Sequence, residues 1–152
     1  MINEIRYSII INPVSGTMTV DRKRAVLANV VEILDAEIHG LDAITADALG
    51  KCARELATRC DVLVTAGGDG TLSDIINSID TARIPIAYLP LGTGNAMRHA
   101  LKYKGSLTGI AMRIRDGKIH EYDLVNCNEK RRAFMASVGI EGAIINGFLC
   151  SI

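Results

Sequence analysis

The chain has no tryptophan, two phenylalanines and four tyrosines in 152 residues, while Leu, Ile, Val and Ala are plentiful. That palette fits a helix-covered parallel sheet, whose buried strands take branched aliphatic side chains. Net charge is missing too: seventeen Lys and Arg balance seventeen Asp and Glu, so nothing in the balance argues for a nucleic-acid partner. No stretch approaches the ~20 apolar residues of a membrane span, and no transmembrane segment is expected. Met1-Ile2-Asn3-Glu4 carries charge of the wrong sign for a secretory leader, with no long apolar run behind it. Cys52, Cys60, Cys127 and Cys150 form no Cys-x-x-Cys pair and have no histidine at ligand spacing. They read as free thiols of a reducing, cytoplasmic compartment. Two common phosphate motifs are also absent. Gly68-Asp69-Gly70-Thr71-Leu72-Ser73 and Gly92-Thr93-Gly94-Asn95-Ala96-Met97 lack the last glycine or alanine of a dinucleotide fingerprint, and Gly50-Lys51 is followed by Cys52 rather than Ser or Thr.

What is present is Val62-Leu63-Val64-Thr65-Ala66-Gly67-Gly68-Asp69-Gly70-Thr71, an uncharged strand running into a glycine turn with one acid. Val62 to Ala66 suits a strand buried on both faces. The three glycines permit positive φ and remove Cβ atoms, so a ligand can lie against bare N–H groups. Thr71-Leu72-Ser73-Asp74-Ile75-Ile76 reads as a helix start with orphan donors and a positive dipole end. Strand, glycine turn and helix start make a phosphate cradle from main chain. Asp69 would repel phosphates unless it holds a divalent cation or accepts a proton from an attacking hydroxyl.

Two further turns answer this one. Ile84 to Leu89 reads as a strand leading into Pro90-Leu91-Gly92-Thr93-Gly94-Asn95, with Asn95 as N-cap of a helix to about Leu101. Tyr7 to Ile11 reads as a strand ending in Asn12-Pro13-Val14-Ser15-Gly16. In a parallel α/β sheet all three turns lie at strand carboxyl ends, on the edge where such folds bind ligands.

These three segments, in this order and spacing, resemble the catalytic domain of the diacylglycerol kinase family, which includes bacterial lipid kinases and sphingosine kinases and is distantly similar to NAD kinases. The likeness covers roughly Tyr7 to Gly142. It implies lipid metabolism of the phospholipid-biosynthesis kind: transfer of the γ-phosphoryl of ATP, with Mg²⁺, to a lipid hydroxyl met at a membrane surface. Carried over by position, Thr45, Gly67, Gly68, Asp69, Gly70, Thr71, Leu72, Ser73 and Thr93 match nucleotide-binding residues, and Asn12 and Ser15 belong to the first turn of that site. Thr71, Thr93 and Asn95 would orient phosphate, and Asp69 would ligate or position Mg²⁺, directly or through water. Many members have Glu where this chain has Asp74, which shortens the reach of a ribose or metal contact there.

The fold expected is α/β, a three-layer parallel sheet like the N-terminal domain of NAD kinases and diacylglycerol kinases, followed by the start of a truncated β-rich domain. Residues 1–117 form the first domain and 118–152 the second. Between the landmarks, Arg22 to Glu37 carries Leu27, Val30, Val31 and Leu34 at helical spacing. Ala43-Ile44-Thr45 reads as a second strand, and Asp47 as the cap of a helix to Arg59. Ser106 starts a helix ended by Asp116-Gly117. Beyond Lys118 a hairpin is expected, Ile119 to Val125 pairing with Ala133 to Val138 across a polar turn over Asn126 to Arg132. In the family such strands open the domain that completes the lipid site, and the general base and further metal-binding acids are expected beyond Ile152. The apolar segment Ala143 to Leu149 and the unpaired hairpin edge lead to the expectation of self-association through the C-terminal end.

Other residues take plain readings. His39, His99 and His120 are scattered surface groups, and Lys130-Arg131-Arg132 is a solvated hairpin tip. Two further classes stay open on the residues alone. One is an NAD kinase-like enzyme whose acid turn would activate a ribose hydroxyl. The other is a non-catalytic nucleotide-binding module.

Overall fold

The computed structural model describes residues 5–134, and the chain divides into two units, Met1–His120 and Glu121–Ile152. The first unit is built on four parallel strands, β1 (Tyr7–Ile11), β2 (Glu37–His39), β3 (Val62–Gly67) and β4 (Ile86–Pro90), in the order β2-β1-β3-β4. Five helices accompany them: α1 (Val20–Leu34), α2 (Ala46–Leu56), α3 (Asp69–Ser78), α4 (Ala96–Ala100) and α5 (Leu107–Asp116).

The layers follow from alternation along the strands. Ile9, Ile11, Val64, Ala66 and Leu89 face α1 and α5, joining Leu27, Val30, Leu34, Ile110 and Ala111 in one core. Ile10 and Leu63 point the other way, onto Leu49, Ala53 and Leu56 of α2 and Ile75 of α3. Both faces of the central strands are therefore buried, which is why β1 and β3 are continuous aliphatic runs. Each fully buried Ile or Leu contributes on the order of 1.5–3 kcal/mol of transfer free energy. The three-layer α/β arrangement expected from sequence is the one observed.

Several boundaries differ, for local reasons. Helix α1 stops at Leu34 because Asp35 turns left-handed (φ 46°) and its N–H closes on the Val31 carbonyl. Glu37, expected at the helix end, is in β2, the second strand, so Ala43-Ile44-Thr45 is not a strand. Those residues follow the turn at Leu41-Asp42 as irregular chain, and Thr45 caps α2 by accepting from the Ala48 amide at 3.2 Å. Thr45 rather than Asp47 is thus the cap, with Asp47 inside the first turn, and α2 ends at Leu56 rather than Arg59. Ser106 caps α5 in the same manner through the Gly109 amide. Helix α3 begins at Asp69, two residues before the expected start, which puts the acid in its first turn. β4 starts at Ile86 rather than Ile84 and runs through Pro90, paired with Gly67.

In the second unit, β5 (Val125–Cys127) pairs antiparallel with β6 (Arg131–Ala133), Val125 opposite Ala133. The turn is tight: Asn128 and Glu129 both have positive φ (52° and 56°) and the Lys130 amide returns to the Cys127 carbonyl. Two left-handed residues give the twist that a short hairpin needs. The hairpin is therefore shorter than expected. Ile119 to Leu124 is not strand, Arg131 and Arg132 belong to β6 rather than to the turn, and Phe134 is outside the ladder. The part of the expected second strand beyond Phe134, the apolar segment Ala143 to Leu149, and Cys150 lie outside the described residues.

Candidate functional site

The register places the three turns on one edge of the sheet. Ile11 lies beside Ala66, and Gly67 beside Pro90, so the segments after Asn12, Gly67 and Pro90 leave together. Contact between them is direct. Asn12 Nδ2 donates to Thr71 Oγ1 at 3.2 Å, tying the first turn to α3. A Cβ on Gly16 would lie 3.2 Å from the Leu91 carbonyl oxygen, and the amides of Leu91 and Gly92 donate to the Gly67 carbonyl at 2.9 and 3.2 Å.

The glycines of the second and third turns serve approach rather than unusual dihedrals. Gly67, Gly68, Gly70, Gly92 and Gly94 are absent from the positive-φ residues, which corrects the expectation from sequence. A Cβ on Gly67 would strike the Thr71 side chain at 2.7 Å, and one on Gly92 would strike the Gly68 backbone. Gly70 is different: a Cβ there meets nothing within 4 Å. It faces open space at the first turn of α3, where Gly68 as N-cap supplies no side-chain hydrogen bond to the orphan amides.

Asp69 is held by a partner that sequence did not indicate. Its Oδ2 accepts from the Ala96 amide at 2.8 Å and its Oδ1 from the Met97 amide at 3.0 Å. The carboxylate caps α4 from a different turn, and Asn95, expected as the cap, makes no side-chain cap hydrogen bond. Instead Asn95 sits left-handed (φ 50°), a conformation Asn tolerates better than most residues. Its Oδ1 accepts from the Tyr88 hydroxyl and the Gly92 amide, both at 3.0 Å. Burial, and then the neighbouring Asp69 carboxylate, push the Tyr88 phenol up, so it stays a neutral donor to Asn95. Asn95 therefore shapes the third turn.

The other residues expected in the site divide by position. Ser15 Oγ donates to the Asn12 carbonyl at 3.0 Å, and the Val14 amide donates to Asn12 Oδ1 at 3.0 Å, closing the first turn on itself. Thr71 is buried, its hydroxyl engaged with Asn12. Leu72 is buried and its amide donates to the Gly68 carbonyl at 3.1 Å, and the Ser73 carbonyl accepts from the Asn77 side-chain amide, so both residues serve α3 itself. Thr93 is exposed in the bend after β4. Thr45 is spent on capping α2 and is hydrogen-bonded to none of the three turns. Asp74 is in the body of α3 rather than at its start, its carbonyl accepting from Ser78.

Lys23 was missed from sequence. It is fully buried, and its ammonium donates to the carbonyls of Asn12 and Pro13 at 2.8 and 2.9 Å. Extending the Leu27, Val30, Leu34 stripe one turn towards the helix start lands on it. A lysine on an apolar stripe was the available signal.

Among the described residues no group of three or more His, Cys, Asp or Glu could hold a metal. Mg²⁺ carried on nucleotide phosphates needs only one or two carboxylates and keeps several waters; the three turns carry one carboxylate, Asp69, each of whose oxygens already accepts one amide. Cys52, Cys60 and Cys127 are free. Burial pushes the Cys52 and Cys60 thiols up, away from the reactive thiolate. No helix among the described residues is long and apolar enough to cross a membrane.

Fold and turns together define a parallel α/β domain with its glycine turns gathered on one edge. The chain belongs to the diacylglycerol kinase catalytic domain family, whose model matches residues 6–127. It is 29% identical over 140 residues to a diacylglycerol kinase of Staphylococcus epidermidis, covering 88% of this chain and 43% of that protein. It is 30% identical to a diacylglycerol kinase of Staphylococcus saprophyticus, covering 88% of this chain and 45% of that protein. The fold resembles the crystal structure of a diacylglycerol kinase from Bacillus anthracis str. Sterne, with a TM-score of 0.59 at 21% identity over 76% of this chain and 45% of that one. The chain thus spans less than half the length of these relatives.

Proposed function

We propose that this chain is the nucleotide-binding part of an ATP-dependent lipid kinase, which transfers the γ-phosphoryl of ATP to the hydroxyl of a diacylglycerol-like lipid. The observation that carries this reading is the junction of three turns, Asn12 to Thr71 by side chain and Gly67 to Leu91 and Gly92 by main chain. Phosphoryl transfer asks mainly for positioning and neutralisation of charge. The orphan amides at the start of α3 would hold phosphate oxygens, and the exposed Thr93 would orient them. Thr71 and Asn95 would act by keeping the turns in place, since their side chains are already engaged. Asp69 would position Mg²⁺ directly or through water while continuing to cap α4. When bound, the ion would neutralise phosphate charge. The lipid acceptor would be met at a membrane surface.

Calorimetry on the wild type and on Gly70→Ala tests the nucleotide half of the reading. ATP and ADP with Mg²⁺ are expected to bind the wild type. The variant is expected to bind at least about tenfold more weakly while melting no lower, because alanine is favoured over glycine in a helix by about 1 kcal/mol and its methyl meets no protein atom. No nucleotide binding by the wild type, or equal binding by the two, overturns the reading. Labelled ATP offered with diacylglycerol, a sphingosine-like base or NAD tests the acceptor; transfer to NAD alone would make the enzyme a soluble-substrate kinase.

A further inference from the structure

Helix α1 buries Lys23, Leu27, Val30 and Leu34 along one face. The lysine at the head of that face has no exposed surface. Two of its three ammonium protons are used on the Asn12 and Pro13 carbonyls, at 2.8 and 2.9 Å. Among the described residues no carboxylate lies within ion-pairing distance of it. The two neutral carbonyls satisfy two of the donors but not the charge, and a buried unpaired charge is costly. Burial lowers its pKa and no acidic neighbour offsets that.

The turn that Lys23 holds is in contact with both others, which also meet each other through the Gly67 carbonyl. The Asn12 carbonyl also accepts from Ser15 Oγ, the Asn12 side chain reaches Thr71, and Gly16 packs on the Leu91 carbonyl. Moreover, the segments 12–16, 67–73 and 90–95 contain Asp69 but no Lys or Arg. A site made for several phosphates therefore has one acid and no cation on its own turns. Lys23, tied to the Asn12 and Pro13 carbonyls, is a cation buried against the first of them.

We propose that Lys23 is the buried cation of the phosphate site, pinning the turn 12–16 from behind and supplying the positive charge that a bound polyphosphate neutralises. The proposal rests on the nucleotide-binding reading above and adds a residue to it. Lys23 is a positioning residue, acting through the turn and through its field. Its unpaired charge in the free protein becomes intelligible, since the missing counter-ion is the ligand. One unit charge within about 10 Å, at an effective dielectric near 20, changes affinity on the order of tenfold.

The test uses the full 152-residue chain with inorganic pyrophosphate, ATP and adenosine as calorimetric probes. Lys23→Met, which removes the charge at similar length, is expected to weaken pyrophosphate and ATP about tenfold and to leave adenosine unchanged. Lys23→Arg keeps the charge and is expected to stay within about threefold of wild type. Unchanged pyrophosphate affinity in Lys23→Met, or an equal loss for adenosine and ATP, overturns the proposal. Should Lys23→Met fail to fold, the wild-type ammonium ¹H–¹⁵N signal decides: it is expected to move on saturation with pyrophosphate, and a signal that stays put overturns the assignment. A wild type that binds neither ATP nor pyrophosphate removes the nucleotide reading and this proposal together. One that binds both with Lys23 indifferent removes this proposal alone.

Discussion

The two edges of the four-stranded sheet both carry main-chain ties, the Asp61 and Val62 amides donating to the Arg6 carbonyl where the strands begin, but they differ in what is added to them. Where β1 and β3 begin, Arg6 and Asp61 join them through an exposed ion pair: the Arg6 amide, Nε and Nη2 all donate to the carboxylate, at 2.9, 3.1 and 2.9 Å. Both side chains are open to water, 67% and 45% exposed. Where the same strands end, the ties are main-chain amides, glycines in backbone contact and a buried ammonium. An exposed pair competes with water and salt and can be lost cheaply. Backbone against backbone has no slack, because neither side can rotate out of the way. The difference separates an edge that only has to close from one that has to hold a shape.

Three changes probe that contrast, beginning with the greatest effect. Asp69→Asn removes the charge at the shaped edge. An amide has one acceptor where the carboxylate uses two, so the bonds to the Ala96 and Met97 amides cannot both survive, and about 1 kcal/mol of stability should go with the lost cap. The substitution is therefore not silent in the fold, contrary to what its shape suggests. In any form of the protein that turns over lipid, the rate should fall at least about a hundredfold; wild-type turnover would reduce Asp69 to a cap. Gly92→Ala comes next. Its methyl would press on the Gly68 backbone and lie 3.0 Å from Asn95 Oδ1, and urea unfolding should register a loss of about 1–3 kcal/mol. An unchanged midpoint would mean that the two turns can part.

The smallest effect belongs to the other edge. Arg6 holds the Asp61 carboxyl at about 2, below its ordinary 3.8, chiefly by hydrogen bonding. A depressed carboxyl stabilises the folded state above its unfolded pKa and loses that contribution as pH falls through the folded one. Arg6→Ala should shift the urea midpoint only slightly at pH 7, and the gap to wild type should close between about pH 4 and 2 and shrink in 1 M salt. A gap that persists at pH 2 would assign the effect to packing of the arginine stem.

The strands β1 and β3 were legible because aliphatic runs stand between unmistakable turn residues. β2 was not, since Glu37-Ile38-His39 carries one apolar side chain and takes its place by pairing with β1. The Ser106 cap of α5 and the glycine turns follow from local chemistry. Thr45 and Asp47 are both good caps in the same stretch, and only the fold decides between them. The bond from Asp69 to the start of α4 joins residues 27 and 28 positions apart, a separation that local rules do not address. Lys23 escaped notice because lysine is ordinarily a surface residue, and its burial depends on carbonyls contributed from ten and eleven residues away.

The double hydrogen bond from α4 to Asp69 also makes the site observable. Amide protons that donate to a carboxylate respond to changes in its charge and company, and here two of them, on Ala96 and Met97, report on the two oxygens of one carboxylate. Their resonances form a built-in pair of spectroscopic indicators lying outside the glycine turn that carries Asp69. A titration with Mg²⁺ and nucleotide can be followed at these two backbone positions with no label on the turn itself, and a metal drawn to either oxygen of the carboxylate would move the two signals unequally.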